Sequence, residues 1–286
     1  MDRMDLIIAK LQERGYTTAA IHEVVKNGIR KKGITIRESN ISPVIYVDTL
    51  LKNNENIELD DLVTQIINIY ESHRSVDFDV DLLTSRDFLL NNTYIGLQRC
   101  SSENIIKRDC TDFEGLEQYL YARGMSDQQG SWNMKIHSHI LEKAGIGVDE
   151  IWASAEKLTF SEDQTVIQPL SSIMAELFGT CEDDCLAELD IPMFVISNRD
   201  KIKGAAQVLD RERLKAFAAE HNTEKLVILP SSLHEMILIV PTANEILDEE
   251  ALERYSSLVA EVNATQVDEE EQMIDKAFLI DFSEDN

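Results

Sequence analysis

Apolar residues in the first quarter of the chain recur mostly at the three- and four-residue spacing of amphipathic helices. This spacing predicts one helix from about Thr17 to Ile29 and another over residues 59–73. A short alternating run, Ile34–Arg37, is strand-like instead. We therefore expect a helical N-terminal region over residues 1–75.

Further along, the pattern changes between helical and strand-like periods, which predicts a central α/β region over residues 76–190. Alternation predicts a strand at residues 94–97 and another from Trp132 toward Ile140. Gly145 is then expected to end one helix, and the next is expected to begin near Asp149.

The last third has the clearest pattern, and it predicts a C-terminal ββαββαβ unit over residues 191–286. The predicted order is strand 193–196, strand 204–209, helix 210–221, strands 226–229 and 236–240, helix 247–262 and strand 277–280. Leu258 and Val262 belong to the predicted buried side of the last helix. The predicted fold class is α+β, with a helical N-terminal region followed by mixed, mainly antiparallel sheets covered by helices.

Charge narrows the classes of partner that the chain is expected to have. Its 53 Asp and Glu outnumber 27 Lys and Arg, which gives a formal net charge of −26. Fourteen of these acids lie in residues 241–286, together with two bases. Contacts with nucleic-acid phosphates need clustered Lys and Arg, so we expect no direct binding of DNA or RNA. High charge favours solubility, and it also suits a partner protein with a basic surface.

Several other functions are not expected. No apolar run approaches the roughly 20 residues of a membrane-spanning helix, and residues 1–5 lack the apolar core of a secretory signal. We therefore expect a cytoplasmic protein without membrane contact, whose four cysteines are reduced. Cys181 and Cys185 have neither thioredoxin-type nor common zinc-knuckle spacing. His137 and His139 would share a strand face, but no third ligand is near them, so neither a metal nor a cofactor is predicted.

The densest group of hydrogen-bonding side chains is Ser231, Ser232, His234 and Glu235, which follow Pro230 between two apolar runs. Because Ser, His and a carboxylate are residue types of nucleophilic catalysis, these four are the candidate catalytic residues. On an extended strand, however, Ser232 and His234 share one face while Glu235 points to the other. We favour a structural interpretation, in which the two hydroxyls satisfy the backbone of a turn.

A candidate ligand-binding site is the polar turn that contains Asn198, Lys203 and Gly204. Glycine lets an anion approach backbone amides closely, although an ordinary hairpin loop explains the same residues. No complete phosphate-binding loop accompanies this turn.

Three segments of the chain resemble a family of uncharacterised bacterial proteins. They are the hairpin Leu229–Glu235, the stretch Val262–Thr265 and the N-terminal segment Asn40–Asp48. That family occurs largely in gut anaerobes, often near mobile elements, and has no established activity. The resemblance implies that the chain shares one overall fold with these proteins, and it implies no particular chemistry.

We favour a non-enzymatic cytosolic protein that binds another macromolecule through its acidic surface. One alternative is a small-ligand-binding protein or hydrolase centred on Ser231, Ser232 and His234. The other is a nucleic-acid mimic that inhibits a basic protein.

Overall fold

The chain divides into two compact units, Met1–Leu83 and Thr84–Asn286. The computed structural model describes residues 2–38, 43–53, 56–73, 80–126, 130–179, 191–242 and 245–283. Each unit has hydrophobic clusters of its own. Helices and antiparallel sheets occupy separate stretches of the chain, so the predicted α+β class is confirmed.

The first unit packs helices against a two-stranded hairpin. Its elements are α1 (Arg3–Glu13), β1 (Ala19–Lys26), β2 (Ile29–Ile36), α2 (Val47–Asn53), α3 (Leu59–His73) and α4 (Val80–Leu83). Helix α1 contacts both α3 and β1. Fully buried side chains from α1, β2 and α3, such as Leu11, Ile34 and Ile66, form the core. The helix predicted over residues 59–73 is confirmed.

The helix predicted from Thr17 to Ile29 is wrong, because this segment forms the β1–β2 hairpin. The turn is Asn27-Gly28, and both residues have positive φ, +49° and +78°. Such a pair fits a type I′ turn, whose twist matches that of two antiparallel strands. The apolar residues of β1 have the spacing of a helical face, but they are β-branched and such residues favour strands. The turn therefore decides between a helix and a hairpin.

The second unit contains two sheets and the helices that cover them. The elements of its first part are α5 (Arg86–Asn92), β3 (Thr93–Arg99), β4 (Lys107–Asp109), β5 (Leu116–Ser126), β6 (Gly130–Lys135), α6 (Ser138–Ala144), α7 (Val148–Thr159), β7 (Thr165–Pro169) and α8 (Leu170–Phe178). They are followed by β8 (Met193–Asn198), a 3₁₀ helix (Gly204–Leu209), α9 (Arg211–Glu220), β9 (Lys225–Ser232), β10 (Glu235–Ile239), α10 (Glu249–Gln266) and β11 (Phe278–Asp281).

Both sheets of the second unit are antiparallel. The first sheet has the order β3-β5-β4, and β6 also pairs with β5. The other has five strands in the order β11-β9-β10-β8-β7. One hydrophobic cluster takes residues from both sheets, including Leu120 of β5 and Ile228 of β9, and the rings of Phe113 and Phe278 meet edge to face at 5.1 Å. The two sheets are therefore held together by a shared core.

Two further sequence expectations need correction. The second strand of the predicted ββαββαβ order is instead the 3₁₀ helix Gly204–Leu209, whose residues 204–208 are buried. Gly204 lies so close to β8 that an added Cβ would be 2.4 Å from the Asn198 amide nitrogen, so the chain passes over the sheet and does not join it. His137 and His139 are not on a strand, because His137 precedes helix α6 and His139 lies within it.

Candidate functional site

The β9–β10 connection uses the hydroxyl of Ser232 for the backbone of the turn. Ser232 Oγ accepts a hydrogen bond from the main-chain amide of His234 at 3.1 Å. The carbonyl oxygen of His234 in turn accepts from Ser197 Oγ of β8 at 2.7 Å. The pairing register shifts between Glu235 and Met236, which marks a bulge at the start of β10. Ser232 therefore meets the backbone of His234 and not its ring.

The His234 ring is positioned by two neighbouring segments. Its Nδ1 accepts a hydrogen bond from the backbone amide of Lys203 at 3.2 Å. Its Nε2 lies 3.5 Å from Glu271 Oε1, in the segment that follows α10. The structure thus brings the hairpin candidate His234 together with the turn candidate Lys203, and it adds a carboxylate that sequence reasoning did not single out.

The turn candidates Asn198, Lys203 and Gly204 make contacts within the protein. The Asn198 side chain closes its own turn, because it donates to the Ile202 carbonyl at 2.7 Å and accepts from the Ile202 amide at 3.1 Å. Lys203 Nζ donates to the hydroxyl of Tyr119 at 2.8 Å. A Cβ on Gly204 would lie 2.3 Å from Ser197 Oγ, so this glycine permits close packing.

An acidic pocket of about 460 Å³ opens beside the hairpin at the C-terminal end of α10. Its lining residues are Ser231, Ser232, Glu235, Ala264, Thr265, Gln266, Val267, Asp268 and Glu271. Three carboxylates therefore face one pocket, and the last turn of a helix adds carbonyl groups and the negative end of its dipole. In the described part of the chain, the Glu235 carboxylate has no ion-pair partner. This pocket favours a cation.

An apolar groove of about 170 Å³ lies next to the acidic pocket, between α10 and the five-stranded sheet. Its lining residues are Leu170, Met193, Leu229, Pro230, Ser231, Ile237, Leu258, Val259, Val262 and Asn263. Ser231 lines both the groove and the acidic pocket, so the two are adjacent. We call the groove and the acidic pocket together the α10 surface.

Two residues of the α10 surface are more exposed than the sequence predicts. Leu258 and Val262 were expected on the buried side of the helix, but 41% and 38% of their surfaces are exposed. Helix α10 instead buries Ala251, Val259 and Asn263, and Asp248 caps its N-terminus by accepting from the Ala251 amide at 2.9 Å. Periodicity locates the apolar stripe of a helix, but how far the stripe is covered depends on its neighbours.

Cysteine and histidine positions elsewhere do not assemble a metal site in the part of the chain that the structure describes. Cys100 is exposed and Cys110 is buried, and both are free thiols. Burial raises the pKa of the Cys110 thiol to about 11, so this thiol stays protonated at neutral pH. Cys181 and Cys185 lie outside the described residues. His137 Nδ1 is 2.6 Å from the carbonyl oxygen of Asn104.

Fold and site together define an α+β protein with an apolar groove next to an acidic pocket. The chain belongs to the family of unknown function DUF5688, whose sequence profile matches residues 4–281. No curated protein and no solved structure matches it. Among the described helices, none has the length and apolar character needed to cross a bilayer.

Proposed function

We propose that this protein is a non-enzymatic cytosolic binding protein that holds a basic, amphipathic segment of another protein on the α10 surface. An apolar side chain of the partner occupies the groove, and a neighbouring Lys or Arg enters the acidic pocket. The observation that carries this proposal is the adjacency of the two cavities, which share Ser231.

The groove supplies the apolar half of the interaction. Leu258 and Val262 are one helical turn apart and expose about two fifths of their surfaces. Grooves of this kind accept an amphipathic segment through a few apolar anchors. Burying each anchor removes apolar surface from water on both partners, which favours association by about 25 cal/mol per Å².

The acidic pocket supplies the charge that selects the partner. Glu235, Asp268 and Glu271 are all acidic, and they lie within the segments that line one pocket. A Lys or Arg side chain can bury its methylene stem along the groove while its charged end reaches these carboxylates. An acidic segment would be repelled, so charge complementarity gives specificity and speeds association.

The hydrolase alternative has less support than binding. Ser232 Oγ accepts a hydrogen bond from the main-chain amide of His234, whereas a nucleophile needs a hydrogen bond to the imidazole.

The nucleic-acid mimic remains an alternative, and it differs from our proposal in a measurable way. A mimic would bind through charge alone, whereas the α10 surface also uses an apolar groove.

The test is a selection of random 12-residue peptides on the immobilised chain. We expect enrichment of sequences in which Leu, Ile or Phe lies one helical turn from Lys or Arg. Binding of the enriched peptides, measured by fluorescence anisotropy, should fall about tenfold or more for Leu258→Lys and for Glu235→Gln. Matched controls are Val148→Lys, at another half-exposed apolar position, and Glu249→Gln, at the opposite end of α10.

Two results would contradict the proposal. Enriched peptides without basic residues, or peptides that bind all four variants equally well, would place recognition elsewhere. Peptides that are purely basic and are lost completely at high salt would favour the nucleic-acid mimic, since surface charges are screened within roughly 8 Å at physiological ionic strength.

A further inference from the structure

A third cavity, of about 200 Å³, lies beside the acidic pocket and shares Glu235 with it. We call it the α8 cavity, because Ile173 of helix α8 forms part of its wall. The proposed binding of a basic segment leaves this cavity unexplained. The side chains that matter for its chemistry are Val166, Ile173, Val195, Arg199, Lys201 and Glu235.

The strand register places the α8 cavity on the face of the five-stranded sheet that also carries the α10 surface. Val195 of β8, which lines the α8 cavity, pairs with Ile237 of β10, which lines the apolar groove. Glu235 precedes Ile237 by two positions, and alternate residues of a strand share a face. The α8 cavity is therefore contiguous with both the groove and the acidic pocket.

Two cations line the α8 cavity without a partner of their own. Arg199 and Lys201 follow β8, and both residues are exposed. Within the described ranges, neither side chain forms a hydrogen bond or an ion pair. Asp200 lies between them in sequence, but its carboxylate pairs with Arg123 at 2.5 Å. The two cations are therefore open to a carboxylate from outside the chain.

Charge changes sign between the acidic pocket and the α8 cavity. The acidic pocket has three carboxylates and no Lys or Arg among its lining residues. The α8 cavity has two cations and one carboxylate, that of the shared Glu235. A segment with positive charge alone would be attracted by the first and repelled by the second. Complementarity to both requires a segment that carries charges of both signs.

The size and walls of the α8 cavity indicate which anion it accepts. Its volume is below the roughly 300–1,000 Å³ of small-molecule sites, so a single side chain fits it better than a free ligand. Val166, Ile173 and Val195 give it an apolar side. The two methylene groups of a glutamate can be buried there, whereas an aspartate has only one, and burial of each methylene favours binding.

From this combination we infer that the partner segment also carries a glutamate, which enters the α8 cavity while a neighbouring Lys or Arg occupies the acidic pocket. The carboxylate pairs with Arg199 and Lys201, and the methylene groups pack against the apolar side. This inference rests on the proposed binding at the α10 surface. It adds an acidic residue to the apolar and basic residues already expected of the partner.

The experiment uses the tightest-binding 12-residue peptide of the selection, acetylated and amidated at its ends. We expect this peptide to contain a glutamate, and its replacement by glutamine to weaken binding about tenfold in fluorescence anisotropy. The same peptide with a free C-terminal carboxylate should bind no more tightly, because the side chain supplies the negative charge.

Variants of the chain locate the glutamate. The combined variant Arg199→Gln and Lys201→Gln should weaken the glutamate peptide about tenfold and leave the glutamine peptide unchanged, because the carboxylate and the cations act as a pair. Its melting temperature should equal that of the parent, since both residues are exposed. Lys157→Gln, at an exposed position of α7, is the matched control and should bind both peptides as the parent does.

Three results would overturn the inference. They are a selected peptide without glutamate, an equal loss of both peptides in the combined variant, and tighter binding of the peptide that has a free C-terminal carboxylate. In each of these cases the proposed function stands if binding still falls for Leu258→Lys. Binding that is indifferent to Leu258→Lys would contradict the proposed function itself, and the inference with it.

Discussion

At the scale of single residues, His234 connects three segments of the second unit. Its carbonyl oxygen accepts from Ser197, its Nδ1 accepts from the Lys203 amide, and its Nε2 faces Glu271. These contacts place β8, the approach to the 3₁₀ helix and the segment after α10 around one residue. We therefore assign His234 a mainly structural role.

Substitution of His234 tests this assignment. His234→Ala removes the acceptor of the Lys203 amide, and we expect it to lower the free energy of unfolding by about 1–3 kcal/mol. Denaturant unfolding measures the loss, with the exposed His139→Ala as control. Unchanged stability in His234→Ala would mean that the ring is held there for a purpose other than folding.

A second residue-scale feature is the buried carboxylate of Glu117 on β5. Burial by itself raises its pKa, but hydrogen bonds from Gln98, Lys107 and Ser101 outweigh this effect and hold the pKa below its ordinary value. The folded state therefore favours the charged form of Glu117. Its contribution to stability is full above the ordinary pKa of a carboxyl group and is lost as pH falls through the lower pKa of the folded state.

Glu117→Gln should show this dependence on pH. At neutral pH we expect a loss of about 1–3 kcal/mol, because the partly buried Lys107 ammonium loses its charged partner. At about pH 3 or below, the gap between parent and variant should narrow, since the parent begins to protonate Glu117. Urea unfolding at both pH values measures the gap, and the exposed Glu249→Gln serves as control. A gap of equal size at both values would contradict the role assigned to the charge.

At the scale of elements, the β1–β2 hairpin shows how a turn overrides a periodic pattern. The apolar positions of β1 fit a helical face, but Asn27-Gly28 adopts positive φ at both residues. An Asn-Gly pair between β-branched residues is a strong hairpin signal in sequence, so this element was predictable from its turn.

Gly28→Val tests the importance of that turn. A β-branched residue at a φ of +78° is strained, and we expect a loss of about 1–2 kcal/mol in the free energy of unfolding. Arg30→Val, at an exposed strand position, should change stability by less than about 0.5 kcal/mol. Both values come from urea unfolding of the full chain, and equal values for the two variants would show that the turn does not determine the hairpin.

At the scale of the whole molecule, the chain contains two units with separate cores. The core of the first unit is formed within residues 1–83, and both sheets of the second unit are formed within residues 84–286. We therefore expect residues 84–286, expressed alone, to unfold in one cooperative transition. Circular dichroism during heating measures this, and a gradual transition would show that the second unit depends on the first.

The same scale explains why contacts between distant segments of the second unit were not visible in the sequence. Arg123 and Asp200 are 77 positions apart, and their contact depends on how the two sheets of the second unit are arranged. The sequence pattern singles out residues 231–235 as a dense polar group, but Glu271 and the exposed Leu258 reach this hairpin only through tertiary packing. The local pattern of apolar and polar residues does not indicate which segments become neighbours in the fold.

The amino-acid sequence by itself determined the α+β class, the helix over residues 59–73, the β9–β10 hairpin and the amphipathic character of α10. Each follows from periodicity, because the spacing of apolar residues specifies one face of one element. Tertiary structure decided whether residues 204–209 joined a sheet and which apolar side chains of α10 stayed exposed. It also decided that Arg123 meets Asp200. These outcomes depend on contacts between distant segments, where burial and steric fit outweigh local preference.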